Sequence, residues 1–204
     1  MFGLAVIATV VIAAGVTVLA VAGDGGGHEA GPPAGEVPVP LDDDAPAPWR
    51  EASAVARPAV PPAFVAAWDR AANRGGCALL FPLDAGPELT GAQATDQRTP
   101  DDKGWDIFLT GPAGSVEVLG LFPPASGVDA SPEAKTFNRA WADGSTARYA
   151  VDVGNAAPGT YDPDASPYEA VLTIPGQSCA YRIYDTLGRA HLEALFDRLR
   201  LMRG

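Results

Sequence analysis

The stretch YEAVLTIPGQSCAYRIYD, residues 168–185, decides the fold. Two runs of β-branched and aromatic residues, 168–174 and 179–185, flank Pro175-Gly176-Gln177-Ser178, a turn composition that folds such runs back as an antiparallel hairpin. A second pair, 105–111 and 115–122, flanks Gly111-Pro112-Ala113-Gly114 and reads the same way. Two further β-type runs, 77–83 and 146–153, bring the expected strands to six. In the latter, Tyr149, Val151 and Val153 alternate with Arg148, Ala150 and Asp152, so one face meets a core and the other meets water.

Helical patterns bracket these strands. Pro61-Pro62 opens a segment with Phe64, Trp68 and Ala71 on one stripe, and Gly75 stops it. At the other end, Leu192, Leu195, Phe196, Leu199 and Met202 fall at helical spacing, which predicts a helix running through Met202. Strands between two terminal helices, without βα alternation, imply an α+β fold: an antiparallel sheet of about six strands flanked by an N-terminal and a C-terminal helix.

Outside that domain, over residues 61–204, the chain changes character. Residues 1–23 contain no charged side chain and form an apolar run long enough to cross a bilayer, expected as a transmembrane anchor or signal peptide. The absence of a basic leader favours a retained anchor, whereas Ala20-Val21-Ala22 offers a cleavage site after Ala22 and hence secretion. Residues 24–60 are rich in Pro and Gly and read as a disordered linker with no core side chains. Cys77 and Cys179 are the only cysteines, and an even pair in an exported domain predicts one disulfide.

The net charge is −11, with six acids and no Lys or Arg among residues 1–49. Phosphate backbones are gripped by clustered cations, so nucleic acid is excluded as a partner. The expected partners are the membrane, through residues 1–23, and a cell-envelope protein or glycan.

Catalytic and metal motifs are missing. None of Ser115, Ser126, Ser145 or Ser178 stands in a Gly-x-Ser-x-Gly frame. One domain histidine, His191, beside two cysteines expected to be oxidised, does not make a zinc site. Asp162, Asp164 and Ser166 copy the start of a calcium loop, but Pro167 and Thr173 replace its required Gly and Glu. No cofactor is expected. His191 reads as a partly buried helix-flank residue whose replacement costs ~1–2 kcal/mol. Arg198, Arg200 and Arg203 read as cations complementing a helix C-terminus.

Aromatic residues give the one hint of a binding face: Trp105, Trp141, Tyr161 and Tyr168, in strands or adjoining loops. The sequence therefore predicts a membrane-tethered or secreted binding module of unknown ligand, its domain extracytoplasmic. Alternatives are a secreted hydrolase whose paired carboxylates meet only in space, and a structural cell-envelope protein.

Overall fold

The computed structural model describes residues 46–84, 86–89, 93–95, 104–121, 135–152, 162 and 165–204. The expected leader, most of the expected linker, and Tyr161 lie outside them. No helix among the described residues is long and apolar enough to cross a membrane.

The main sheet is antiparallel and has seven strands, one more than expected: β3 (Gln93–Thr95), β4 (Trp105–Gly111), β5 (Gly114–Leu121), β6 (Thr136–Ala140), β7 (Thr146–Val151), β8 (Tyr168–Thr173) and β9 (Ala180–Asp185). Their order is β3-β4-β5-β9-β8-β7-β6. Two meanders thus meet at an antiparallel β5–β9 pair that aligns Val118 with Ile183. The two hairpins close at the turns their sequences specify, and Gly176 adopts the positive φ, 83°, that a Pro-Gly turn requires.

Tyr149, Tyr168, Tyr181, Ile183, Val116 and Val118 form the apolar face. Two helices pack on it: α1 (Pro62–Arg70) near β4, and α2 (Arg189–Arg198) near β9. Phe196 of α2 stands edge-on to Trp141 and Tyr149, with ring centroids 5.8 and 5.6 Å apart.

Three sequence expectations change. The run 77–83 narrows to β2 (Leu80–Pro82), which leaves the main sheet and pairs with β10 (Leu199–Arg203). β10 replaces the last turn of the expected helix: α2 ends at Arg198, and Leu199 turns extended at ψ 139°. The apolar positions Leu199 and Met202 suit either a helix or a buried strand, and backbone pairing with β2 and with β1 (Val55–Ala56) decides for the strand. Arg200 still caps the helix, donating to the Asp197 and Leu199 carbonyls at 2.8 Å each.

The third change concerns the linker, which was expected to reach residue 60. Ala47, Trp49 and Val60 are instead buried in the core. The Trp49 ring lies 4.5 Å from Trp141, and its indole N–H donates to Ser145 Oγ at 2.8 Å. A proline-rich stretch lacks internal backbone pairing, but a single indole in it still gains several kcal/mol by burial, which fixes the chain to the β6–β7 turn.

Cys77 and Cys179 form the disulfide, with Cα atoms 5.4 Å apart. It ties the loop before β2 to the start of β9. Polar contacts reinforce the tie: Tyr181 donates to the Ala78 carbonyl at 3.1 Å, and the Gln177 side chain accepts from the Ala78 N–H at 2.8 Å. Gly120 lies under this junction, where a Cβ would fall 2.7 Å from Cys77 Sγ and 2.4 Å from the Trp105 ring.

Candidate functional site

Of the aromatic residues singled out in the sequence, the three among the described residues do not gather on a surface. Trp105 and Tyr168 are each 1% exposed and Trp141 3%. Trp105 packs against Tyr181, Tyr168 against Phe137, and Trp141 between Trp49 and Phe196. Their rings belong to the interior because each sits on the sheet face that the helices cover, or in the turn that Trp49 closes.

Polar chemistry is found on the opposite face. Strand register sets Glu117, Tyr184 and Glu169 side by side across β5, β9 and β8, and in the next row sets Asp106, Leu119, Arg182, Val171, Arg148 and Asn138 across β4 to β6. Arg182 Nε meets Glu169 Oε1 at 2.7 Å. The Glu117 carboxyl shares a side-chain hydrogen bond with Asp106. Burial pushes Glu117 above the usual carboxylate range, opposed by that hydrogen bond and by the Arg182 charge. The Tyr184 phenol is likewise raised, first by burial and then by the carboxylates around it, Asp152 foremost.

This cluster has the ingredients of acid chemistry, but of the carboxyls Asp106, Glu117 and Glu169 only Glu117 is part-exposed. Asp106 is 4% and Glu169 5% exposed, whereas a catalytic carboxyl must reach a substrate atom within hydrogen-bond distance. The open part of the face lies two strands away, toward β6. A groove of about 490 Å³ there is lined by Asn138 and Ala140 of β6, Thr146 and Arg148 of β7, and Val171 and Thr173 of β8. Thr146, Arg148 and Thr173 are exposed. Arg148 makes no ion pair among the described residues. One unneutralised guanidinium, two hydroxyls and an amide over a small apolar floor suit an anionic or polar ligand.

Sequence reading placed Arg148 on the water face through its alternation with Tyr149 but did not single it out. Its convergence with Asn138 and Thr173 carries no linear signal, because β6 was unrecognised and the three residues meet only through pairing of separate strands.

His191 and Asp185 form a buried pair on the helix side, His191 Nδ1 lying 2.6 Å from Asp185 Oδ2. The other Asp185 oxygen accepts from the Leu187 N–H at 2.8 Å. The carboxylate thus clamps the turn from β9 into α2. Among the described residues, no group of three His, Cys, Asp or Glu side chains is placed to hold a metal ion.

Comparison with known proteins finds no matching family model, no matching curated protein and no matching solved structure.

Proposed function

We propose that the chain is a non-catalytic extracytoplasmic binding module, attached to the membrane through residues 1–23 or secreted after cleavage near Ala22. The groove around Arg148 is the observation that carries this reading, since it offers ligand-binding groups at the surface without a nucleophile or base beside them. The Cys77–Cys179 bridge adds support for export, because such bonds persist in oxidising compartments. Titration of the isotope-labelled protein with cell-envelope glycans and peptides should shift resonances of Asn138, Arg148 and Thr173. Shifts confined to the surroundings of Asp106 and Glu117, or no shifts with any ligand, would overturn it.

A second reading, a secreted hydrolase with paired carboxylates, is favoured by the neighbouring carboxyls Asp106 and Glu117 on one sheet face. It requires that Glu117→Gln abolish turnover of a glycan or peptide substrate while leaving the fold intact. Turnover undiminished in that variant would remove it.

A further inference from the structure

We propose that the free edge of β6 receives an acidic, extended peptide segment of a partner protein as an added strand. This rests on the binding-module reading and names its ligand class. β6 pairs with β7, and among the described residues no strand pairs with its other side. A terminal strand presents backbone N–H and C=O groups that an extended peptide can complete, with neighbouring pockets selecting alternate side chains.

Cations surround this edge. Lys135 and Arg189 each lie 4.9 Å from the centroid of the Phe137 ring, and Arg139 lies 4.9 Å from that of Trp141. Arg148 stands on the opposite, outer face of the sheet, in the groove. Two carboxylates lie among them: Glu193 accepts from the Tyr149 hydroxyl at 2.9 Å, and Asp197 pairs with Arg139 at 2.7 Å and offsets that guanidinium. In a chain of net charge −11, four cations here outnumber the two carboxylates Glu193 and Asp197 beside them, and the excess selects for acids. A second copy of the chain fits badly, because pairing through β6 would set these cations against themselves. An incoming strand instead places every second side chain on the outer face beside Asn138, where a carboxylate meets the Asn138 amide and the long Arg148 side chain of the next strand.

The test is calorimetric titration of the full chain in detergent with an acetylated, amidated heptapeptide alternating Val and Glu. Controls are its Lys counterpart and a version N-methylated at alternate residues. The Glu peptide should bind, slow amide exchange at residues 136–140, and weaken about tenfold or more with Arg148→Glu, with N-methylation or with high salt. Arg148→Gln, a milder change at an exposed position, should weaken binding less. Equal binding of the N-methylated peptide would overturn strand addition yet leave a groove ligand and the binding-module reading in place. No binding of the Glu peptide, or equal binding of the Lys peptide, would also overturn the proposal. The binding-module reading itself fails only if the glycan and peptide panel leaves the groove unperturbed as well.

Discussion

Asp185 is wholly buried, and His191 next to it is 9% exposed, so their 2.6 Å contact carries more than a helix-flank histidine would. Removing one partner of a buried pair strands the other, at a cost of about 3–5 kcal/mol. His191→Leu should therefore lower stability by that order in urea unfolding, beyond the ~1–2 kcal/mol that sequence position alone suggests. A loss under 1 kcal/mol would show that Asp185 is satisfied by its turn hydrogen bond. Glu117 behaves in the opposite sense. Its carboxyl lies above the ordinary 4.5 in the folded protein, so the proton it holds stabilises the fold fully below 4.5, and that contribution is lost as pH rises through the folded value. Glu117→Gln stays neutral at every pH and removes the cost of a half-buried charge. The variant should melt higher than the parent at pH 7 and about the same at pH 4. A lower melting temperature at pH 7 would contradict the direction of the shift.

At the scale of elements, the segment around Trp49 is part of the fold although its composition resembles a spacer. Trp49 is 1% exposed and bridges to Trp141 and, 96 residues away in sequence, to Ser145. Truncating such a side chain costs about 3–5 kcal/mol. Trp49→Ala in the full chain, and a chain beginning at residue 60, should both unfold well before their parent. Unchanged midpoints in both would show that the domain closes without this strap. β2 and β10 depend on the same neighbourhood, because β1, which follows Trp49, supplies the parallel partner that aligns Val55 with Met202.

For the molecule as a whole, the disulfide spans 102 residues and joins the small sheet to the middle of the large one. Cross-linking over so long a loop removes unfolded-state entropy worth roughly 4–5 kcal/mol in the chain-entropy model, a large part of a domain's ~5–15 kcal/mol. The double variant Cys77→Ser, Cys179→Ser should lose stability of that order by denaturant titration. An unchanged midpoint would mean that the hydrogen bonds of Ala78, Gln177 and Tyr181 hold the junction unaided.

Local chemistry determined much of this protein. Turns rich in Pro and Gly at 111–114 and 175–178, and period-two runs on either side of them, determined two antiparallel hairpins and the α+β class, since adjacent strands need no distant partner to be specified. The even cysteine pair likewise determined the bridge. Tertiary structure alone decided the rest, because the deciding partners lie far away in sequence. The stretch 199–203 is apolar at spacings that a helix or a strand accepts, and it became β10 through backbone groups offered by β1 and β2. Trp105 and Tyr168 went inside because their side of each strand faces the helices, and Trp141 because Trp49 and Phe196 close over its turn, matters of packing that residue type does not encode. Arg148, Asn138 and Thr173 come from three strands, and only the order β8-β7-β6 set them around one groove.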